Sequence, residues 1–163
     1  ERVAECQSAV KAIQPFKEIN ALGELTAEDF DNLSDKIENP TVRKRARHVV
    51  TEIHRTNEAV ECLKAGDLTR FGLLMNDSHT SLKNDYEVTG FELDTMVEEA
   101  MKVEGVIGTR MTGGGFGGCT VSLVKDEAVD KFIDFVGPNY TKKTGLTPKF
   151  YVAEISDGGK KLF

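Results

Sequence analysis

The 163-residue chain predicts an α+β domain: an antiparallel sheet of the ferredoxin-like, split βαβ kind with a long helical hairpin packed beside it. Three observations predict it. Apolar residues recur at helical spacing through the first two thirds of the chain. From Val106 the period shortens to that of a strand. Two such strands are joined by a short glycine loop, which makes them antiparallel neighbours.

The opening helix carries Val3, Cys6, Ala9 or Val10 and Ile13 on one face, and Gln14-Pro15 and Gly23 mark breaks after it. Thr26-Ala27-Glu28-Asp29 is a capping sequence for a short helix bearing Phe30, Leu33 and Ile37. Asn39-Pro40 supplies an N-cap and a first-turn proline for a long helix. Its stripe of Val42, Ala46, Val49, Ile53, Thr56, Val60 and Leu63 predicts one continuous core face. The chain then turns at Ala65-Gly66-Asp67 and returns through Leu68, Phe71, Met75 and Leu82. Asn84 to Val88 is expected to be a polar, extended connection. Thr89-Gly90-Phe91-Glu92 has the form of a capping box for a helix with Leu93, Met96, Val97 and Ala100 on one side. Val106 to Met111 and Thr120 to Val124 are the two strands. Asp126 is expected to cap a further helix through Val129, Phe132, Ile133 and Val136, ending near Gly137-Pro138 or running on to Gly145, and Phe150 to Ile155 completes the sheet.

Composition narrows the function classes. The 27 acidic and 21 basic residues give a net charge of −6, which disfavours a nucleic-acid surface because phosphate contacts need clustered Lys or Arg. The one basic run, Arg43-Lys44-Arg45 with Arg47, alternates with Glu38, Glu52 and Glu58 and is expected to be a solvated helix face. No apolar stretch is long enough to span a bilayer and no signal-peptide core is visible, so a soluble, cytoplasmic protein without membrane partners is expected. Cys6, Cys62 and Cys119 are far apart and lack C-x-x-C spacing, which argues for reduced thiols. His48, His54 and His79 have no metal-ligand spacing, so no protein metal site is expected. A nucleophilic set of Cys119, His79 and Asp77 is conceivable, but a small residue at a strand start is the commoner role for Cys119. The opening Glu1-Arg2-Val3, without methionine and already inside a helical pattern, is expected to continue something longer.

The chemistry-bearing segment is Thr109-Arg110-Met111-Thr112-Gly113-Gly114-Gly115-Phe116-Gly117-Gly118-Cys119-Thr120, in which five of the six residues from Gly113 to Gly118 lack a side chain. Such a loop bares its N–H groups, which can curl into an anion-binding nest, or it is simply a turn that needs positive φ. Gly113, Gly115 and Gly118 satisfy G-x-G-x-x-G, but the loop runs into a strand rather than a helix, which disfavours a dinucleotide site. Cys119-Thr120 stands where a Walker loop requires Lys-Ser/Thr, which excludes that motif.

Arg110-Met111-Thr112-Gly113-Gly114-Gly115-Phe116-Gly117-Gly118-Cys119 closely resembles the third conserved motif of the galactokinases, within the GHMP small-molecule kinase superfamily. Arg45 to Glu52, Ser78-His79-Thr80-Ser81-Leu82, Asp85 to Thr89 and Glu92-Leu93-Asp94 resemble galactokinase segments in the same order, most densely from Arg43 to Val124. Two departures are Gly114, where the family often has alanine, and Ile53-His54 in place of a more polar pair. The resemblance implies that residues 1–163 are a GHMP kinase C-terminal domain, without the N-terminal domain that carries the sugar motif, the ATP phosphate loop and the catalytic residues. It implies a whole enzyme that transfers the γ-phosphoryl of ATP, with Mg2+, to the anomeric hydroxyl of galactose. It also leaves open a galactose- and ATP-binding regulatory sensor, or a kinase for a related sugar such as N-acetylgalactosamine. No catalytic residue is then expected in this chain, and its ligands (galactose, ATP and Mg2+) are expected to be held mainly by the N-terminal domain, its partner. The implied site is the loop Gly113, Gly114, Gly115, Phe116, Gly117 and Gly118, closing the cleft near the phosphates. Arg110, Thr112, Ser78, His79 and Ser81 are candidate cleft-lining residues, and Phe116 is expected to anchor the loop in apolar surroundings or to be ordinary core.

Overall fold

A computed structural model describes residues 1–154. In chain order these form α1 (Arg2–Ile13), α2 (Ala27–Leu33), α3 (Pro40–Ala65), α4 (Leu68–Ser81), α5 (Gly90–Ala100), β1 (Val106–Thr112), β2 (Cys119–Val124) and α6 (Val129–Thr144). The helix ends follow the predicted signals where a side chain reaches the backbone. Thr26 Oγ1 accepts from Asp29 N–H and Asp29 Oδ2 from Thr26 N–H, each at 3.0 Å, a complete capping box for α2. Asn39 Oδ1 accepts from Thr41 and Val42 N–H at the start of α3, and Asp67 Oδ1 from Arg70 N–H at the start of α4. Gly66 closes α3 in the left-handed conformation, so the hairpin turns where expected.

Other local signals are overridden. Thr89 makes no side-chain cap, and Gly90 at φ +78 turns the chain into α5 instead. Asp126 opens a short 3-10 turn, Asp126–Ala128, rather than capping α6 directly. Helix α6 runs through Pro138 to Thr144, with Asn139 Nδ2 donating to the Phe135 carbonyl at 2.8 Å and Gly145 ending it at φ +76. Leu82–Tyr86 is a π-helical turn continuing α4, not an extended connection. The stripe on α3 is a core face only in its first half: Ala46 is fully buried, whereas Ile53, Val60 and Leu63 are 40 %, 44 % and 52 % exposed.

Strands β1 and β2 are antiparallel, pairing Thr109 with Ser122, Arg110 with Val121, Met111 with Thr120 and Thr112 with Cys119, with an irregularity between Val106 and Gly108. Across the pair Thr109 Oγ1 and Ser122 Oγ are 2.8 Å apart. The other edge of β1 is occupied by a helix. Asn76 Oδ1 accepts from Thr109 N–H at 2.9 Å and His79 Nδ1 accepts from Met111 N–H at 3.2 Å, so α4 satisfies alternate strand donors as a third strand would. Gly72, Asn76 and His79 lie at i, i+4 and i+7, on one helix face. The approach is close enough that a Cβ on Gly72 would lie 1.9 Å from the Ile107 carbonyl oxygen, and one on Gly108 would lie 2.6 Å from Gly72 Cα.

That edge replacement bears on the expected last strand. Phe150 to Glu154 form no strand, and Ile155 lies outside the described residues. One side of β1 is already taken by α4, and Phe150 packs edge-on against Phe132 of α6, with ring centroids 6.0 Å apart. The described sheet is therefore a two-stranded antiparallel ribbon within the expected mixed α+β fold.

Three apolar clusters hold the elements together. Ala9, Ile13, Phe30, Ile37, Ala46 and Val50 join α1, α2 and α3. Ala100, Val103, Phe132 and Val136 join α5 to α6. Leu82, Val88, Leu93 and Met111 form a small cluster at the end of the sheet from which the glycine loop emerges.

Candidate functional site

The loop Gly113 to Gly118 projects from the end of the strand pair. Gly113 has φ +85 and Gly115 φ +81, while Gly114 between them is outside the left-handed region. Alternation of hand is what lets successive N–H groups converge on one point. A Cβ built on Gly113, Gly114, Gly117 or Gly118 would meet nothing within 4 Å, so these four present open backbone among the described residues. Gly115 differs. Its Cβ would fall 2.2 Å from the Val88 carbonyl oxygen, and the same oxygen accepts a 2.7 Å hydrogen bond from Phe116 N–H. The crown of the loop is thus seated on Val88, and glycine at 115 is required by the protein's own backbone.

Phe116 corrects an expectation. Its ring is 76 % exposed rather than buried or anchoring, because the residue sits at φ +58 with its N–H turned inward and its side chain outward. The backbone holds the loop, not the ring. Thr112 is exposed at the rim, opposite Cys119.

Of the other candidates, the structure turns most inward. Ser78, His79 and Ser81 are all buried, and Ser81 stands in the wall of an open depression shared with Arg55, Asp77, Thr80, Asn84 and Asp85. Ser78 Oγ donates to Glu52 Oε2 at 2.6 Å, joining α4 to α3. Ser81 Oγ meets His48 Nδ1 at 2.9 Å, with the His48 ring stacked on Tyr86 at 4.4 Å. Arg110 takes the ordinary fate of a strand arginine: its guanidinium lies 3.7 Å from Glu52 and donates to the Met111 carbonyl. Burial lowers the His48 and His79 pKa values, and for His79 the nearby Asp94 carboxylate offsets this only in part. Because His79 Nδ1 accepts from Met111, the ring proton sits on Nε2, 3.3 Å from Asp94 Oδ1, itself buried and without a hydrogen bond of good geometry. The His79 ring is buried, with Nδ1 engaged by Met111 N–H and Nε2 turned toward Asp94, while Cys119 is exposed, so the nucleophilic set of Cys119, His79 and Asp77 is not assembled.

The basic run also differs from the expected solvated face. Arg45 is 2 % exposed and donates to Glu5 at 3.1 Å, Glu87 at 2.7 Å and the Asp85 carbonyl at 2.6 Å. Arg2 donates to the Tyr86 and Glu87 carbonyls, Arg43 to the Ile37 carbonyl and Arg47 to Asp85. Burial pushes the Glu5 pKa up, but hydrogen bonds from Arg45 and Arg2 outweigh it and hold it below the ordinary carboxylate range. Arg2, Arg45 and Arg47 clamp Asp85 to Glu87, where Glu87 takes φ +55, and the next residue is Val88, the seat of the loop.

The model of one family, GHMP kinases C terminal, matches residues 59–142, more than half the chain. The chain belongs to the GHMP kinases. The chain is 56 % identical over 162 residues to a galactokinase of Clostridium beijerinckii and 52 % identical over 163 residues to one of Enterococcus faecalis. It covers 99 % and 100 % of itself in these matches and 42 % of each relative, so it spans about two fifths of their length. The crystal structure of Lactococcus lactis galactokinase complexed with galactose superposes with a TM-score of 0.93 at 50 % identity, covering 99 % of this chain and 42 % of that one. The chain therefore shares the mixed helical and antiparallel architecture of that part of the galactokinase. Among its described residues no helix is long and apolar enough to cross a membrane.

Sequence reasoning did not find Val88, Asn76 or Gly72. Gly72 had a signal, a glycine inside a helical pattern, which points to close backbone approach. Val88 had none, since its contribution is a carbonyl oxygen.

Proposed function

We propose that this chain is the C-terminal domain of a galactokinase, whose full-length form transfers the γ-phosphoryl group of ATP to the anomeric hydroxyl of galactose in the cytoplasm. The observation that carries the reading is identity of half or more to galactokinases across essentially the whole chain. In this reaction the anomeric oxygen bonds to the γ-phosphorus, the bond to the ADP oxygen breaks, and the hydroxyl proton passes to a base on the N-terminal domain. Mg2+, when bound, neutralises charge on the transferring phosphates. Among the described residues no three His, Cys, Asp or Glu side chains are grouped to hold a metal ion. Gly113, Gly117 and Gly118, all at positive φ with open space around them, offer N–H groups unobstructed by side chains, which suits contact with phosphate oxygens. The exposed Phe116 ring suits contact with the N-terminal domain when the cleft closes.

Phosphorus NMR on the full-length protein with MgATP tests the reading. Galactose 1-phosphate is expected to accumulate. Binding of galactose and ATP without turnover, or turnover only with another sugar, would contradict it. The isolated 163-residue chain is expected to show no sugar-dependent ATP consumption, because the base lies elsewhere.

A further inference from the structure

The glycine loop is fixed at two points by one stretch of chain. Val88 seats its crown, and His79 holds its root, since Met111 is the last buried residue before Thr112 and Gly113. His79 is 5 % exposed, and its Nδ1 accepts the Met111 N–H beside the cluster of Leu82, Val88, Leu93 and Met111. Asp94 of α5 faces its Nε2 at 3.3 Å, and Asp94 is in turn 3.2 Å from Lys83 Nζ. Arg110 of β1 is the other charge near the ring. Asn76 makes the equivalent contact one step back, to Thr109 N–H. The two acceptors differ in reach: Asn76 secures the middle of β1, whereas His79 secures the residue whose position sets where the loop begins.

We infer that His79 is a positioning residue, whose Nδ1 acceptor, with Asp94 facing the other ring nitrogen, fixes the root of the Gly113 to Gly118 loop for phosphoryl transfer. The inference rests on the kinase reading for its consequence, but the geometry it concerns is measurable without turnover. A misplaced root moves every N–H of the loop together. Loss of the acceptor therefore lowers turnover more than sugar affinity.

The test uses the full-length protein with His79→Leu, which removes the acceptor, and His79→Asn, whose Oδ1 stands close to the position of Nδ1 and accepts without a ring. Asn76→Leu is the control for losing a strand-edge bond away from the loop. His79→Leu is expected to lower kcat about tenfold while the galactose KM moves less than about twofold. Hydrogen exchange of the peptide 109–120 is expected to speed up in His79→Leu, and to stay near wild type in His79→Asn together with kcat. Asn76→Leu is expected to lower the thermal midpoint without this loop signature. Wild-type exchange and kcat in His79→Leu would overturn the inference, as would equal losses in His79→Leu and Asn76→Leu at matched stability. If His79→Leu does not accumulate folded, His79→Asn decides alone: retained exchange and kcat uphold the inference, and loss of both overturns it. A protein that phosphorylates no sugar would sink the kinase reading, yet the exchange comparison would still decide where His79 acts.

Discussion

Gly72→Ala is expected to destabilise the protein by about 3 kcal/mol or more, although alanine is the better helix former. Replacing a glycine inside an exposed helix stabilises by about 1 kcal/mol, and that gain is present here too. It is outweighed because the new Cβ would lie 1.9 Å from the Ile107 carbonyl oxygen and 2.8 Å from Ile107 Cγ2, in backbone and side chain that cannot swing away. Relief requires α4 to retreat from β1, which lengthens the Asn76 and His79 bonds to Thr109 and Met111. Urea or thermal unfolding of the full-length protein checks it. A variant more stable than wild type would show that α4 does not seal the strand edge.

Arg45→Met is expected to cost about 3 kcal/mol, the range for removing one partner of a buried ion pair. Methionine fills much of the volume, so the loss reports the polar contacts: the Asp85 carbonyl at 2.6 Å is left without its donor, and Glu5 keeps only Arg2. Glu87 is half-exposed and regains water, which limits the penalty on that side. Arg45→Lys is expected to recover little, since one ammonium cannot span three acceptors in different directions. Unfolding midpoints in low and high salt check both variants. Because Arg45 is buried, the difference from wild type should persist in high salt. A loss that vanishes with salt would place Arg45 in a solvated pair.

What was legible in the sequence follows the range of the interaction involved. Asn39-Pro40, Thr26 to Asp29 and Gly66-Asp67 were read correctly because a cap is decided within three or four residues. The strand pair was legible because a short glycine loop admits few geometries. The stripe on α3 misled from Ile53 onward because periodicity says which residues share a face, not whether another element covers it. Arg45 misled for the related reason that its partners, Glu5 and Glu87, lie some forty residues away on either side. In the site, the glycine loop was found from its composition, while Val88 was invisible because any residue supplies a carbonyl. His79 was found as a residue but not in its role, since facing the strand edge rather than the cleft depends on how Gly72 seats the helix.

Whether the loop acts through open backbone held in place by Val88 is tested most directly by kcat of Gly114→Ala beside Gly115→Ala in the full-length protein. Gly114 has ordinary φ and free space, so its alanine variant is expected to keep turnover within about twofold and stability within about 0.5 kcal/mol. Gly115→Ala forces the loop off Val88. It is expected to lose about 100-fold in kcat, as for a displacement of an ångström or more in a positioning element. Its stability cost is expected to be about 2 kcal/mol, one hydrogen bond and one strained φ. Retained turnover in Gly115→Ala, or a loss that merely tracks the unfolded fraction, would contradict the claim.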